Sequence, residues 1–441
     1  MREGLPKGWV EAPITEISHI VYGKGLLQNK LVENGKFPVF GANSIIGYYN
    51  DYLYEKPQIL ISCRGANSGV INISPPKCYV TSNSLVVELP YKYYECLKFL
   101  FYSLKSSDKS SVVTGTAQPQ VTIDNLNEFF ISLPPLNEQK RIVAKLDAIM
   151  PRIEAVKERL YKVPGILKRF RQSVLTAAVT GRLTEQWREE HPEAEKWEET
   201  NIEDLADYIT SGSRGWAEYY SDEGAIFVRT QNINTDELIL DDVAYVKLPK
   251  NTEGTRTKIE KYDLLVTITG ANVTKTALVK NEIREAYVNQ HIALVRLKNN
   301  ENAFYIHLWL VAPNAGRSQL EDAAYGAGKP GLNLKNIKDV AINLPPLEEQ
   351  KEIVRQVEKL FALADKVEAH YQKAKARVDK LSQSVLAKAF RGELVPQDSN
   401  DEPAEKLLER ILEEKAKMEA ELKGGRKKVA RNAANKRGGK S

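Results

Sequence analysis

Apolar residues recur alternately four and three positions apart along two stretches of the chain. In the first, Ile142, Leu146, Ile149, Ile153, Val156, Leu160, Val163, Leu167, Phe170 and Val174 keep this rhythm. In the second, Ile353, Val357, Leu360, Ala364, Val367, Tyr371, Ala374, Val378, Leu381 and Val385 repeat it. Such spacing, sustained over four heptads, draws one narrow apolar stripe along a helix and predicts two long helices that pair through a coiled-coil seam. A proline pair precedes each stretch, Pro134-Pro135 and Pro345-Pro346, and tolerates a helix start just behind it; Gly181 and Gly392 come after as stops. Pro164-Gly165 removes a backbone donor inside the first pattern and predicts a kink or interruption there. Lys375-Ala376 stand at the matching place in the second, which is expected to run through.

The two stretches are copies of one another. Ile131-Ser-Leu-Pro-Pro-Leu-Asn-Glu-Gln-Lys-Arg-Ile-Val143 returns as Ile342-Asn-Leu-Pro-Pro-Leu-Glu-Glu-Gln-Lys-Glu-Ile-Val354, and residues 131–186 share 20 identities in 56 positions with 342–397. A constant offset of 211 without a gap marks a duplication. The segments ahead of the helices share landmarks as well. Trp9, Ile14 and Ile17 correspond to Trp197, Ile202 and Leu205; Arg64-Gly-Ala-Asn67 corresponds to Thr269-Gly-Ala-Asn272, and Gly115-Thr-Ala-Gln-Pro-Gln-Val121 to Gly326-Ala-Gly-Lys-Pro-Gly-Leu332.

Short apolar runs between Gly, Asn and Pro turns, such as Gln58–Ser62, Ser84–Glu88, Asp263–Ile268 and Ile292–Arg296, predict strands in both segments; Tyr93–Ser103 and Phe304–Ala312 read as helices. The expected fold is therefore α+β: two mixed domains, 1–136 and 188–347, separated by long antiparallel coiled-coil helices over 137–187 and 348–396, with a pseudo-twofold internal repeat. A short charged helix over 397–423 and a basic flexible tail over 424–441 complete the chain. Because Leu5-Pro-Lys-Gly-Trp9 matches the segment just after the first long helix, it is expected to pack against the end of the second.

Charge changes the picture only when it is placed. The net +5 is exceeded by the tail, which carries seven basic residues and no acid from Gly424 onward, leaving −2 on residues 1–423. The body is thus not globally basic, and the tail suits either phosphate contact or a solvated end. Three widely spaced cysteines fit buried thiols rather than a disulfide framework or zinc site. No run reaches the ~18 apolar residues of a membrane span, and the start of the chain lacks a signal peptide's apolar stretch, so a cytoplasmic protein is expected.

Catalytic equipment is not evident. The chain has no Asn/Asp-Pro-Pro-aromatic motif of amino-methyltransferases. The nearest phosphate-loop lookalike, Gly326-Ala-Gly-Lys-Pro330, has Ala323 in place of the first glycine and Pro330 where a hydroxyl would meet magnesium. The five histidines have no metal-ligand spacing. On these residues alone two readings stand: a DNA-binding protein, or a coiled-coil adaptor whose duplicated domains bind protein.

The paired Leu-Pro-Pro-Leu-x-Glu-Gln-Lys segments, Leu167-Lys-Arg-Phe-Arg-Gln-Ser-Val-Leu175, Gly181-Arg-Leu-Thr-Glu-Gln-Trp187 and Leu386-Ala-Lys-Ala-Phe-Arg-Gly-Glu-Leu394 resemble those of type I restriction-modification specificity subunits, most of all the IA subgroup. The resemblance covers nearly the whole chain. It implies a non-catalytic subunit with two target-recognition domains, each reading one half of a bipartite, asymmetric site in double-stranded DNA. It also implies that the long helices act as a ruler and dock two modification (methyltransferase) subunits, and that two ATP-dependent restriction endonuclease subunits join them. S-adenosylmethionine, ATP and Mg are then expected in the partners and no cofactor in this chain.

DNA reading needs phosphate contacts for register and side chains at base edges for sequence. In the first domain the loop Thr114-Gly-Thr-Ala-Gln-Pro-Gln120 offers Thr114, Thr116, Gln118 and Gln120, with glutamines able to address adenine; an ordinary turn is the alternative. The matching loop in the second domain offers Tyr325 and Lys329. Arg64 and Asn67 form a second set, matched by Asn272 with Lys275. Arg214, Arg229, Gln231, Asn232 and Arg256 are further candidates in the second domain, set against the ordinary role of a solvated surface side chain.

Overall fold

The two apolar stretches form helices of 44 residues each, Leu136–Val179 and Leu347–Phe390, in a computed structural model that describes residues 4–115, 118–212, 214–249, 255–325 and 331–437. The chain divides into two compact units: Met1–Arg159 with Ala374–Ser441, and Leu160–Lys373. Each unit thus takes one part of either long helix.

Inside the first unit the two helix segments run antiparallel. Lys157 faces Asp379 at 3.8 Å, and Arg141, earlier in its helix, reaches Asp401 beyond the end of the other. Inside the second unit Arg171 pairs with Asp365 at 2.6 Å and Glu368 at 3.3 Å, and Arg188 meets Glu349 near the start of the second long helix. The seam is buried at Ile142, Leu146, Ile153, Leu167, Val174, Ile353, Val357, Ala364 and Val385. It departs from strict heptads elsewhere: Met150 is buried more deeply than Ile149, and Leu381 is 51% exposed beside Ser382 at 8%. An α-helix drifts ~20° per heptad against a 3.5-residue repeat, so the stripe slides to a neighbouring position.

The expected interruption at Pro164-Gly165 does not occur, and a second proline, Pro151, also lies inside the helix. Each proline forgoes one backbone hydrogen bond, and the helix carries buried side chains on either side of them, Met150, Ile153 and Leu167. Both stops are as expected: Gly181 and Gly392 each take a left-handed φ of 74°, the conformation that ends a helix with no Cβ penalty.

Each unit holds a four-stranded sheet of the same order. In the first, His19–Tyr22, Ser84–Glu88, Ile59–Ser62 and Ile71–Ile73 lie side by side; in the second, Ala206–Ser211, Ile292–Leu297, Leu264–Thr267 and Thr276–Leu278 do. All neighbours are antiparallel. A second sheet backs each one, three-stranded in the first unit and four-stranded in the second, and each contains a parallel pair: Phe37–Phe40 with Tyr79–Val80, and Ala225–Val228 with Ala286–Val288. One helix packs behind each main sheet, Leu97–Ser106 and Ala303–Val311. The three cysteines are all buried and unpaired.

The duplicated Leu-Pro-Pro-Leu segment works as a joint. Its preceding strand, Phe130–Leu133 or Ala341–Leu344, pairs with the strand that opens the domain, Val10–Pro13 or Glu198–Asn201. The helix then starts, and Gln139 and Gln350 each donate back to the first proline carbonyl, at 2.9 and 2.8 Å. The domain's leading tryptophan donates to the buried glutamate: Trp9 to Glu138 at 3.0 Å, Trp197 to Glu349 at 2.7 Å. This pairing explains why Trp, Glu and Gln recur at the repeat.

The segment from Leu5 packs where expected. Leu5 and Trp9 share a core with Leu386, Phe390, Leu394 and Val395, and the Ala404 N–H donates to the Gly8 carbonyl at 2.9 Å. The C-terminal helix spans Ala404–Arg437, so it runs past the expected end at 423 and through most of the stretch expected as a flexible tail, since the Lys-, Arg- and Ala-rich sequence sustains helix through Gly424-Gly425. Its Ala404, Leu407 and Ile411 are buried in the first unit.

Candidate nucleic-acid interface

Sheet order decides which loops meet. In the first unit the end of His19–Tyr22, the start of Ser84–Glu88, the end of Ile59–Ser62 and the start of Ile71–Ile73 all fall at one end of the sheet, because Tyr22 pairs with Leu85, Ser62 with Ser84 and Ile61 with Ile71. Arg64-Gly-Ala-Asn67 emerges there, all four residues exposed. The loop 114–120 is drawn to the same place. Thr114 and Gln120 exchange two backbone hydrogen bonds (2.9 and 2.8 Å), and the Gly65 N–H and Ser68 hydroxyl both donate to the Pro119 carbonyl at 3.0 and 2.6 Å. Gly115 is required at its turn: φ is 88°, and a Cβ would sit 2.6 Å from the Gln118 carbonyl oxygen. Arg64, Asn67, Thr114, Gln118 and Gln120 are thereby presented together and exposed; Thr116 lies outside the described residues.

The second unit repeats the construction. At the equivalent end of its sheet Ser211 pairs with Ala293, Thr267 with Ile292 and Val266 with Thr276. Tyr325 and Gly331 exchange backbone hydrogen bonds at 3.1 and 2.9 Å, and the Leu332 N–H donates to the Ile268 carbonyl at 2.7 Å, so Tyr325, 63% exposed, stands beside Thr269-Gly-Ala-Asn272. Lys329 lies outside the described residues. Arg229 directly succeeds the strand Ala225–Val228, and the Asn289 N–H donates to the Val228 carbonyl at 3.0 Å, bringing Arg229 and Gln231 to this end of the sheet. The Asn272 amide ties the loops together by donating to the Thr230 carbonyl at 3.1 Å. Arg214 is exposed three residues beyond Ser211.

Besides the Asn272 amide, four candidates are engaged within the unit: Gln231, whose amide reaches the Asp242 carboxylate at 3.4 Å, and Asn232, Lys275 and Arg256. Asn232 is a correction: it is 3% exposed, its Oδ1 accepts from the Arg229 N–H, and its Nδ2 donates to the Ile239 and Asp242 carbonyls. An asparagine so engaged shapes the loop and has no group left for a base edge. Lys275 is half-buried against Asp236 at 3.1 Å, and Arg256, although exposed, donates its Nε to the Thr210 hydroxyl at 3.2 Å.

Sequence reasoning misses three exposed residues at these ends: Lys24 in the first unit, and Gln290 and His291 in the second. A glycine packs closely at each place, Gly23 just ahead of Lys24 and Gly212 against Asn289 from another strand. A Cβ at Gly23 would lie 2.2 Å from the Thr81 carbonyl oxygen, and one at Gly212 would lie 2.1 Å from Asn289, so both glycines allow a close backbone approach at the strand end. His291 Nδ1 is 2.5 Å from the Thr269 hydroxyl.

The two ends offer different chemistry on one frame. The first unit presents an arginine, a lysine, an asparagine and two glutamines; the second presents Arg214, Arg229, Gln231, Asn272, Gln290, His291 and Tyr325. Arg, Lys, Asn and Gln are the side chains that address guanine and adenine in a major groove. No group of His, Cys, Asp and Glu suited to a metal occurs among the described residues, and no helix among them is long and apolar enough to cross a membrane.

Comparison with known proteins agrees with this frame. The family model described as the type I restriction modification DNA specificity domain matches the chain twice, over residues 6–164 and 194–375. The EcoBI specificity subunit of Escherichia coli is 34% identical over 348 residues, 72% of either chain. The EcoKI specificity subunit of Escherichia coli K12 is 29% identical across 93% of this chain and 96% of that one, and the StySPI subunit of Salmonella potsdam is 30% identical across 98% and 100%. Among solved structures, a chain of a type I R-M system studied for its assembly and conformational transition superposes with a TM-score of 0.68 at 20% identity, covering 89% of this chain and all of that one. The HsdS subunit of Thermoanaerobacter tengcongensis gives 0.50 at 21% identity, covering 88% and 98%. At such identities the structures speak for the fold alone, and the sequence matches speak against the adaptor reading. The chain therefore belongs to the type I restriction-modification DNA specificity family: it is a specificity subunit, the DNA-reading and non-catalytic member of such a system.

Proposed function

We propose that this subunit reads a bipartite, asymmetric site in double-stranded DNA, one half with each unit. The observation that carries the reading is the pair of same-order sheets that gather unlike polar side chains at the equivalent end. Units derived from one ancestral sequence but now unlike in their loops are expected to read different half-sites. Arg64, Asn67, Gln118 and Gln120 serve the first half, with Thr114 on a phosphate; Arg214, Arg229, Gln231, Asn272 and Tyr325 serve the second. Thr116, Lys329, Arg256 and Lys275 complete the candidate set at its margins.

The chain joins two modification subunits and two restriction subunits. S-adenosylmethionine, ATP and Mg belong to those partners, and the assembly works in the cytoplasm. Support for a pair of equivalent docking places comes from the repeat itself. Gln172-Ser173 and Gln383-Ser384 are identical at the 211-residue offset although all four are exposed, where packing does not dictate identity.

The long helices set the gap between half-sites. Inserting one heptad in both preserves the seam and adds about 10 Å at ~1.5 Å per residue, or roughly three base pairs at ~3.4 Å each. The same step turns the duplex by about 100°, as ~10–10.5 base pairs make one turn, so the complex must bend its DNA at a cost of order 1–6 kcal/mol. The insertion variant is expected to keep both half-site sequences, prefer a gap about two to three base pairs longer, and bind more weakly. Selection from a DNA library with randomised gaps, using the chain assembled with its modification partner, checks this; an unchanged gap would refute the ruler.

A further inference from the structure

The second unit contains a polar cluster that the first does not match, and it lies directly behind the candidate reading loops. Asp236 is its centre. One carboxylate oxygen accepts from Arg317 and from the Thr276 N–H at 2.9 Å, and the other accepts from Lys275 at 3.1 Å. Arg317, on the helix Gly316–Ala323, is 6% exposed and uses its second guanidinium nitrogen to reach the Thr274 hydroxyl at 3.1 Å. The imidazole of His307 lies 3.2 Å from the Asp236 carbonyl oxygen.

Three loops meet in this cluster. Asp236 ends the segment that begins with Arg229, Thr230 and Gln231. Thr274 and Lys275 close the loop that carries Asn272, and the helix of Arg317 leads into Tyr325. The backbone is strained at two of the joined positions, Asp236 with φ 62° and Thr274 with φ 72°. A β-branched residue in that region is a genuine outlier and persists only where its surroundings over-determine it. The first unit makes the same turn with Gly69, φ 83°: its N–H donates to the Ser62 carbonyl just as the Thr274 N–H donates to that of Thr267. Glycine takes this conformation without strain. The second unit thus places a threonine, held by a buried arginine, where a glycine would do.

We infer that Asp236 and Arg317 are positioning residues that clamp the three reading loops of the second unit and so set its half-site specificity without touching DNA. This rests on the assignment of Gln231, Asn272 and Tyr325 as reading residues. A reading edge loses discrimination when its supports loosen by even about an ångström, and each mismatched base pair ordinarily costs a factor of roughly ten to a hundred.

The test uses the full chain assembled with its modification partner and selection from DNA in which either half-site is randomised. Asp236→Ala is expected to reduce discrimination at one half-site about tenfold or more while the other half-site and the salt dependence of binding stay as they were. Asp236→Asn, which keeps the shape and the bond from Thr276, is expected to retain most of it. Should Asp236→Ala fail to fold, Arg317→Lys decides with the same readout, since a lysine has one nitrogen in place of the two that separately hold Asp236 and Thr274. Unchanged discrimination in a folded variant, or equal loss at both half-sites, would overturn the clamp. Gln231→Ala and Asn272→Ala distinguish the clamp from the reading residues it supports. If they leave both half-sites alone while Asp236→Ala relaxes one, the reading residues are misassigned and the clamp stands; if they relax one half-site and the clamp variants do nothing, the clamp alone falls.

Discussion

Replacing Glu349 by alanine is expected to destabilise the second unit by about 3–5 kcal/mol, a large part of the ~5–15 kcal/mol that holds a domain together. Glu349 is fully buried and accepts from the Thr184 hydroxyl at 2.7 Å, the Trp197 indole at 2.7 Å and the Arg188 guanidinium. Alanine leaves the Thr184 and Trp197 donors without a partner, each at about 1–3 kcal/mol, while Arg188 is exposed enough to turn to water. The matching Glu138→Gln change in the first unit is expected to be neutral or mildly stabilising. Glu138 is equally buried but accepts only from Trp9, and its other oxygen has no partner. Burial therefore raises its pKa, against the lowering effects of Trp9 and Arg141. The sign follows from linkage. A carboxyl raised in the folded state costs stability once ionised, so that cost is absent below the ordinary range near ~4.3 and grows as pH climbs to the folded value. The difference in unfolding free energy between Glu138→Gln and the parent should therefore grow with pH across that window and then level off. Denaturant unfolding of both variants over pH checks the pair; a mild effect of Glu349→Ala, or a strongly destabilising Glu138→Gln at neutral pH, would refute the account of the joints.

The combined change Arg64→Ala, Gln118→Ala and Gln120→Ala is expected to abolish discrimination at one half-site and leave the other intact. A good bidentate contact discriminates by about 1–3 kcal/mol, so loss of two or more brings the first half-site's preference down by roughly a hundredfold or beyond. The three side chains are exposed and the frame of the loop is backbone: Thr114 with Gln120, and Gly65 with Pro119. Folding should therefore be unaffected, and the thermal midpoint of the variant serves as the control. Competition binding with each half-site altered in turn makes the measurement. Loss at both halves, or at neither, would remove these residues from the interface.

Much of this architecture is legible in the sequence because it is written in local or repeated patterns. The four-three spacing marks the long helices, Gly181 and Gly392 mark their ends, and the offset of 211 exposes the duplication. The segment at Leu5 is placed by the repeat alone. The features that stay hidden depend on distant partners. Asn232 reads as a base contact because an amide suits a base edge and a loop cap equally; only the carbonyls of Ile239 and Asp242 decide between them. Asp236 and Arg317 meet across 81 residues, and no spacing announces such a pair. Lys24, Gln290 and His291 sit in loops too short to show a pattern, and sheet order is the thing that brings them to the edge. Pro164 reads as a break although the helix continues, since a proline's local cost says nothing of the packing on either side.

The most direct test of the DNA-reading function is a map of DNA methylation in a host that has none of its own, made with this chain expressed beside its modification partner. The expected result is one motif with two unlike specified halves and an unspecified gap between them, and no methylation when this chain is omitted. A contiguous motif, a perfect palindrome, or the same methylation without this chain would contradict it.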